Sequence, residues 1–501
     1  MVDRDEGHNR RTFLRRATAI GIGGLAGRGV YDILDGVVGQ PERAVAAGPV
    51  RRRQEQYLVD NVEVILDNGV TCAIPPLHND VFTAKLNPKI NWTTSALKSA
   101  QSRVEKALST VEAPYTSNAA GLTMVIGWGL PFFDEHLPNL KNKLPVDVSL
   151  SKNSATPEYA VLNAIRFPSD PADVKLEDND VMFKMRSDSA NILRSVESQL
   201  FDNTNSSAYI GDLFFLTSKR IGFLGRGFDK VSIAKTLAQE AGVAGAAKIP
   251  DHAQLMMGFT STQTAALGPD NIPSFETLPG VTNQFPSGYF ASGCAMHLSH
   301  IYEDLGKWYG IVEADPEGGY GAQVAQMFSP RTTVPGDHSM VTLRNGPADV
   351  VTQQQLEDDA RDKKVVGHNS ALQQATRLGA DVVDNYGRKR TKGTAVPLRE
   401  DFNTVDDPFA WWRNYPDLTE HTSPGGAAGL HFVAFVPASS KFHAARLAMD
   451  GVLPDGTNLK TKYGVDPQSA GINAALRTSH RQNYLIPPRA HRSFPLVELL
   501  K

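Results

Sequence analysis

Apolar and polar residues alternate along several short stretches of the chain, as they do in β-strands. In residues 180–187 (DVMFKMRS), Val181 and Phe183 fall on one side of the alternation, and Lys184 falls on the other. A period of two is typical of a strand whose two faces differ in surroundings. Residues 121–129 (GLTMVIGWG) and 220–227 (RIGFLGRG) predict two further strands. Together these stretches predict a sheet in the first half of the chain.

A helical pattern follows the strand at 180–187. Ile192, Val196 and Leu200 recur at four-residue spacing, which predicts an amphipathic helix over 189–201. The second half repeats this order. Residues 293–309 (GCAMHLSHIYEDLGKWY) predict a strand that leads into a helix, and residues 429–436 and 440–449 predict another strand and helix. Two such sets of elements predict an α+β fold of two ferredoxin-like halves, similar to a dimeric α/β-barrel, with antiparallel sheets packed together.

The boundary between the halves is expected near residues 242–251. This places an N-terminal half at 48–245 and a C-terminal half, with the site described below, at 246–470. Residues 471–501 contain Pro487 and Pro488 and are expected to form an extended C-terminal tail on the surface.

Composition excludes several classes of protein. The 501 residues contain 51 Lys and Arg against 54 Asp and Glu, a net charge of −3, which argues against a broad nucleic-acid-binding surface. No apolar run reaches the roughly twenty residues that a membrane-spanning helix needs. Cys72 and Cys294 are too few for a four-cysteine zinc site or an iron–sulfur cluster. A disulfide between them and two buried thiols both remain open.

The N-terminus carries a pattern typical of export. Residues 9–15 (NRRTFLR) resemble the twin-arginine motif, a Gly/Ala-rich stretch follows at 17–27, and Ala44-Val45-Ala46 offers a cleavage site. We therefore interpret residues 1–47 as a twin-arginine signal segment and expect the protein outside the cytoplasm or in the cell envelope. The alternative is a basic, disordered tail. The twin-arginine route carries folded proteins, so it suits an enzyme that receives its cofactor in the cytoplasm.

His368 is the main candidate for chemistry. It follows Val365-Val366-Gly367 and precedes a helical pattern, so it is expected at a helix start, where a neutral imidazole can ligate iron. Arg399 lies about thirty residues further on and could stabilise negative charge on a bound oxidant. The alternatives are a surface or core histidine, and an arginine paired with a neighbouring carboxylate.

His297 and His300 are rival ligands. They lie in the MHLSH stretch, and their three-residue spacing places them on opposite faces of a strand. At most one of them is therefore expected to point into the core.

These segments, in this order, resemble the dye-decolourising peroxidase (DyP-type) superfamily, and look closest to a divergent, exported branch of it. GLTMVIGWGLPFFD resembles the first-half strand of that family, LMMGFTST (residues 255–262) its GFxDG haem-site motif, and GLHFVAFVPASSKFHAARLAMDG its final strand and helix. The resemblance spans most of residues 121–451. It implies two ferredoxin-like halves, one of which carries haem.

The resemblance also implies roles for individual residues. His368 would be the proximal ligand to the iron of haem b (iron protoporphyrin IX), and Arg399 the distal arginine. Asp401 would lie where some members have a distal asparagine. Gly258 and Phe259 match the start of the haem-site motif.

The chain departs from the family at Ser261, which stands where the family has a distal aspartate that is assigned to proton transfer. Without that aspartate, general acid–base help worth about a hundred- to ten-thousand-fold is at stake. Ser261 could hold a water by hydrogen bonding, and Asp401 could take over the transfer of the proton.

The function implied is a haem-dependent, peroxidase-like oxidoreductase that uses hydrogen peroxide to oxidise an organic donor outside the cytoplasm. Two alternatives stay open. One is another haem reaction on the same fold, such as the release of iron from haem, and the other is a non-enzymatic haem-binding protein that lacks the distal aspartate. No nucleic acid or membrane-spanning segment is expected, and a homo-oligomer is compatible with the sequence.

Overall fold

In the computed structural model, the described residues are 50–67, 70–224, 232–258, 272–313, 350–405, 427–466 and 471–501. The predicted signal segment, Phe259 and Ser261 lie outside them. None of the helices in the described part of the chain is long and apolar enough to cross a membrane.

The described strands are numbered in chain order. They are β1 (Glu63–Asp67), β2 (Val70–Ile74), β3 (His78–Leu86), β4 (Thr123–Trp128), β5 (Lys175–Leu176), β6 (Val181–Ser187), β7 (Phe214–Phe223), β8 (Cys294–Glu303), β9 (Val382–Val383), β10 (Lys389–Arg390), β11 (Leu398–Arg399), β12 (Phe402–Thr404), β13 (Gly429–Val436) and β14 (Leu476–Ile486).

The α-helices of the same residues are numbered in the same way. They are α1 (Thr94–Glu112), α2 (Leu130–His136), α3 (Val148–Ser151), α4 (Ala190–Glu197), α5 (Ile233–Glu240), α6 (Leu305–Glu313), α7 (Gln353–Asp362), α8 (His368–Thr376), α9 (Ser439–Met449) and α10 (Leu459–Tyr463). Short 3-10 turns join several of them, and one π-helical turn, Ser198–Asp202, extends α4.

The first half is a ferredoxin-like βαββαβ unit. Helix α1 connects β3 to β4, and helix α4 connects β6 to β7. The strands lie side by side in the order β7-β3-β6-β4, and each neighbouring pair is antiparallel. The connection through a helix allows consecutive strands to be separated in the sheet, as the ferredoxin-like arrangement requires.

The second half has the same arrangement. Its strands lie in the order β14-β8-β13-β12, again antiparallel, and α9 connects β13 to β14. The two sheets join at both edges, where β12 pairs with β7 and β14 pairs with β4. Eight strands therefore close into a ring. The prediction of two ferredoxin-like halves with sheets packed together is confirmed.

Residues 471–501 differ from the predicted surface tail. Residues 476–486 form β14, which pairs with β8 along its length and is the fourth strand of the second sheet. The predicted C-terminal half therefore continues beyond residue 470. The predicted boundary at 245 lies in the segment between β7 and β8, which connects the two sheets.

Both faces of these strands are buried, because the ring encloses an interior and helices cover its outside. All seven residues of β6 are buried. Phe183 and Met185 point outward into the layer of helices, where α4 contributes Ile192 and Val196. Lys184 points into the ring, where its ammonium lies 5.5 Å from the centre of the Phe402 ring. The side of β6 that carries Lys184 thus faces the interior of the ring and not water.

Cys294 is a free, buried thiol on the inner face of β8. Burial raises the pKa of this thiol well above its usual value. Of the two alternatives for this residue, the structure supports the buried thiol.

Candidate functional site

A cavity of about 430 Å³ lies against the outer face of the second sheet. Helices α8 and α9 and the edge segment 396–401 complete its walls. This volume falls in the range of about 300–1,000 Å³ that is usual for cofactor and ligand pockets. Much of the wall is apolar, as is common in such pockets; the apolar lining includes Ile301, Leu430, Phe432, Ala434, Phe442, Met449 and Ile472.

His368 is the first residue of α8 and lines this cavity. Burial, together with the positive charges of Arg399 and Arg446, lowers the pKa of its imidazole to about 3. The ring is therefore neutral at physiological pH, the state in which imidazole ligates a metal. The prediction of a helix start at this residue is confirmed.

The backbone at His368 is held by a close contact with Gly471. Gly471 has a φ of +65°, and a Cβ atom there would lie 3.1 Å from His368 N and 3.2 Å from Val366 O. Glycine accommodates both the left-handed backbone and the close approach. The position of His368 thus depends on the segment that leads into β14.

Arg399 and Asp401 line the same cavity from the edge of the sheet. Leu398 and Arg399 pair with Phe435 and Ala434, and Phe402 pairs with His431, so one antiparallel register runs through this segment. Alternate residues of a strand point to opposite faces. Arg399 and Asp401 therefore share the outer face.

Glu400, between them, points into the ring. Its carboxylate meets Lys184, with 3.0 Å between Glu400 Oε2 and Lys184 Nζ, and it also meets Arg186. This buried ion pair fastens the edge segment to β6 and fixes the two site residues on either side of it.

Asp401 accepts a hydrogen bond at Oδ1 from the backbone N–H of Val433, at 3.0 Å. Burial raises the pKa of the Asp401 carboxyl to about 6, while Arg399, the Val433 N–H and Lys184 act in the opposite direction. At neutral pH, Asp401 is largely a carboxylate that could accept a proton.

The segment that ends at Gly258 borders the cavity, with Gln254, Leu255 and Met257 in its wall. Gly258 has a φ of +87°, a backbone conformation that favours glycine. Phe259 and Ser261, which continue the predicted haem-site motif, lie outside the described residues.

Three buried side chains hold this segment by its backbone. Asn403 on β12 donates to Gln254 O at 3.0 Å and accepts from Met256 N at 3.3 Å. Trp308 donates to Met257 O at 2.9 Å, and Tyr309 donates to Met256 O at 2.8 Å. These hydrogen bonds hold residues 254–257, which lead to Gly258, against the second sheet.

His297 and His300 lie on opposite faces of β8, as their spacing predicted. The expectation that at most one of them would point into the core is wrong, because both faces of the sheet, and both histidines, are buried. His297 lines the cavity, stacks on Phe442 with 3.6 Å between ring centres, and contacts Asn483 Oδ1 through Nδ1 at 2.7 Å. His300 points into the ring and lies 4.1 Å from His431, centre to centre.

Sequence reasoning missed Glu303, Arg446 and Arg481, which also line the cavity. Glu303 lies six residues after His297 in β8, so the alternation in MHLSHIYE predicts that both side chains point to the same face of the sheet. Arg481 lies on β14, in a segment for which the sequence predicts an extended surface tail. Arg446 lies on α9, one turn beyond Phe442. Because arginine is polar, the hydrophobic pattern of the helix does not predict that it faces the sheet.

Three side chains that line the cavity differ in charge, and together they determine what it can bind. A neutral imidazole, a fixed guanidinium and a carboxylate surround a cavity with apolar walls. An apolar, planar cofactor that takes one imidazole ligand fits these residues. Within the described residues, no group of three or more His, Cys, Asp or Glu side chains is arranged to hold a metal ion.

Several solved structures are similar to this chain, and they are DyP-type peroxidases. That of Cellulomonas bogoriensis is 15% identical, with 87% of this chain and 96% of that chain covered and a TM-score of 0.45. The encapsulated DyP-type peroxidase of Mycobacterium smegmatis is 12% identical, with 84% and 96% covered and a TM-score of 0.42.

A DypB variant of Rhodococcus jostii RHA1, solved in complex with haem, is 12% identical, with 88% and 99% covered and a TM-score of 0.43. A search of curated proteins finds no match. The fold assignment rests on the strand order of the ring itself. The family model that matches the chain, over residues 76–488, is DUF7405, a family of unknown function, and the chain belongs to that family.

Proposed function

We propose that the protein binds haem b through His368 and uses hydrogen peroxide to oxidise an organic donor. The observation that carries the proposal is the single cavity in which the neutral imidazole of His368, the guanidinium of Arg399 and the carboxylate of Asp401 meet. The resemblance of the sequence to dye-decolourising peroxidases implies that His368 is the haem ligand and Arg399 the distal arginine, and it places Asp401 where some members have a distal asparagine.

Each residue has a defined task in this proposal. His368 would ligate the iron and orient the cofactor, which would supply the redox chemistry. Arg399 stabilises negative charge that develops on the peroxide, because its guanidinium stays protonated and offers several donors. The Val433 N–H engages Oδ1 of Asp401, so Oδ2 is the oxygen that accepts a proton from peroxide.

The walls of the cavity suit the rest of the cofactor. Phe432, Ala434 and Phe442 offer apolar contacts to a porphyrin plane, and Lys441 offers a cation to a carboxylate at its edge. Exclusion of water by the apolar walls strengthens the electrostatic effect of Arg399.

The test is the visible spectrum of the purified protein after expression with haem available. We expect a Soret band in the wild type that is lost in His368→Ala. His297→Ala is the matched control, because His297 is a neutral histidine in the same cavity. A band that survives in His368→Ala and disappears in His297→Ala would contradict the assignment of the ligand.

The reaction is tested by product analysis with hydrogen peroxide and a dye. The proposal expects oxidised dye and an intact cofactor. Iron-free porphyrin as the product would instead support release of iron from haem, and a bound haem with no turnover would support a non-enzymatic haem-binding role. The alkaline pyridine spectrum of the extracted cofactor identifies haem b.

Export by the twin-arginine route is a further part of the proposal, supported by Arg10 and Arg11 in the NRRTFLR stretch. Replacement of both by lysine should retain the protein in the cytoplasm. Replacement of Arg15 and Arg16 by lysine is the matched control and should leave export unchanged. Equal export of both variants and the wild type would contradict this part.

A further inference from the structure

Glu303 is a buried carboxyl at the end of β8, and its side chain lines the cavity. The residue is 3% exposed, and its backbone is fixed by a hydrogen bond from Glu303 N to Ala428 O at 2.9 Å. Within the described residues, Oε2 has no hydrogen-bond partner. A buried polar oxygen without a partner is costly, so its retention on a cavity wall calls for a function.

The surroundings of Glu303 favour its neutral form. Burial raises the pKa of the carboxyl to about 8, and the negative charge of Asp401 acts in the same direction. At neutral pH, Glu303 is therefore mostly a carboxylic acid, which can donate a proton.

Asp401 lies on the same face of the sheet but differs in charge state. Its pKa is raised less, to about 6, since Arg399 and the Val433 N–H favour the carboxylate. Two carboxyl groups whose pKa values are separated by their environments can divide the roles of acid and base.

We propose that Glu303 is the proton donor of this cavity and acts with Asp401 as an acid–base pair in the cleavage of hydrogen peroxide. This inference rests on the proposed function. It assigns a proton-transfer role to a residue of this chain that was predicted neither from the sequence nor from the family resemblance.

Asp401 Oδ2 takes the proton from one peroxide oxygen. The O–O bond breaks, and Glu303 gives its proton to the departing oxygen, which leaves as water. The cofactor would supply the two electrons for this cleavage, and the organic donor would return them together with two protons, so that the remaining oxygen also leaves as water. A proton then passes from Asp401 to Glu303 through water in the cavity, which restores both groups.

Other titratable groups line the cavity from each element that packs around it. They are Arg53 ahead of β1, His297 on β8, His368 on α8, Arg399 and Glu400 in the segment 396–401, Lys441 and Arg446 on α9, and Arg481 on β14. Asp170, which also lines the wall, is paired with Arg481, and its Oδ1 lies 3.6 Å from Arg446 Nη2.

The experiment compares Glu303→Gln, Glu303→Asp and Glu276→Gln in the full chain. Glutamine keeps the shape of Glu303 and removes the acid, and aspartate keeps a carboxyl on a shorter side chain. Glu276 is the matched control, because it is a buried carboxyl with a raised pKa that does not line the cavity. Thermal melting of each variant verifies that it is folded.

Two measurements are made. Infrared difference spectra recorded below and above pH 8 report the carbonyl stretch of a protonated carboxylic acid that titrates in this range. This band should be absent in Glu303→Gln and present in Glu276→Gln. Stopped-flow mixing of the haem-loaded protein with hydrogen peroxide should show a rate lowered about a hundred- to ten-thousand-fold in Glu303→Gln. Glu303→Asp should recover part of that rate.

The outcomes separate this inference from the proposed function. A haem-loaded Glu303→Gln variant that reacts at the wild-type rate, or keeps the infrared band, overturns the inference and leaves haem binding intact. A wild-type protein that takes up no haem overturns the proposed function and the inference with it. Loss of the band together with the slower reaction, in a variant that retains its Soret band, supports both.

Discussion

Replacement of Glu400 by glutamine is expected to destabilise the protein strongly. The Glu400 carboxylate binds Lys184 and Arg186 inside the ring of strands, where the two cationic side chains are 0% and 1% exposed and that of Glu400 is 9% exposed. Glutamine has the same shape, so the substitution removes the negative charge without creating a cavity. It leaves two buried cations without the carboxylate that compensates them.

The expected loss is about 3–5 kcal/mol in the free energy of unfolding at neutral pH. This is the usual cost of removing one partner from a buried ion pair. An exposed pair contributes only about 0–1 kcal/mol, because water screens its charges. Because all three side chains have low exposure, the cost of breaking a buried ion pair applies to Glu400.

The loss should depend on pH, because Lys184 can release its proton. Burial lowers the pKa of Lys184 to about 8, against the opposing effect of Glu400. Without Glu400, this pKa falls further. A lysine whose pKa is lower in the folded than in the unfolded protein binds fewer protons when folded, so stability rises with pH between the two values. The difference between variant and wild type is therefore largest below the lowered pKa of Lys184 in the variant, shrinks as the pH rises from that value to 8, and is smallest above pH 8.

The assay is denaturant unfolding of wild type and Glu400→Gln, below and above pH 8, with Glu197→Gln as the matched control. Glu197 pairs with Lys219, and these side chains are 17% and 29% exposed. The control should lose no more than about 1 kcal/mol. If Glu400→Gln unfolds like Glu197→Gln, or if its loss is the same on both sides of pH 8, the reasoning from burial is refuted.

Three further predictions concern the cavity. Gly471→Ala and Gly464→Ala should each lower the free energy of unfolding by about 1–2 kcal/mol, since both glycines have a left-handed φ. Only Gly471→Ala should change the Soret band, because an added Cβ at 464 meets nothing within 4 Å. Arg399→Met should raise the pKa of Asp401 above 6 and move the acid limb of the pH–rate profile of peroxide reduction to higher pH; an unmoved limb would contradict it. Asn403→Leu should lower unfolding stability by about 1–3 kcal/mol, because the Gln254 carbonyl and the Met256 N–H lose their partner; an unchanged denaturant midpoint would exclude this role.

The sequence predicted the fold because alternation and helical spacing recur in the same order in both halves. It failed at β14, whose sequence LRTSHRQNYLI is largely polar. These polar residues are buried in pairs: His480 Nδ1 lies 2.5 Å from Glu177 Oε1, and Gln482 donates to Asn179 O at 2.7 Å. A buried strand that satisfies its polar groups with distant partners has no apolar pattern, so sequence spacing alone does not reveal it.

The site was predicted in part. His368, Arg399 and Asp401 were named from a motif resemblance, and all three line one cavity. Ser261 stays a prediction, since it lies outside the described residues. The alternation in MHLSHIYE predicts the face on which Glu303 lies but does not predict that it is a proton donor. Its proposed role depends on burial and on the charge of Asp401, which come from tertiary structure.

The two halves have the same strand order, yet the cavity lies against the second sheet. On the outer face of the first sheet, large side chains such as Phe82, Trp128 and Phe183 fill the layer beneath the helices, and each is at most 1% exposed. The corresponding face of the second sheet has small or polar residues, such as Ser299 and Ala434, beside larger ones, such as Phe432, in the cavity wall. A close-packed interior leaves no room for a ligand, so the volume for one must come from side chains that the fold does not need for its core. This difference in side-chain size is already visible in the sequence, at the alternate positions of each strand that point outward. Side-chain size at the outward positions of duplicated strands therefore indicates which half of such a fold can hold a cofactor.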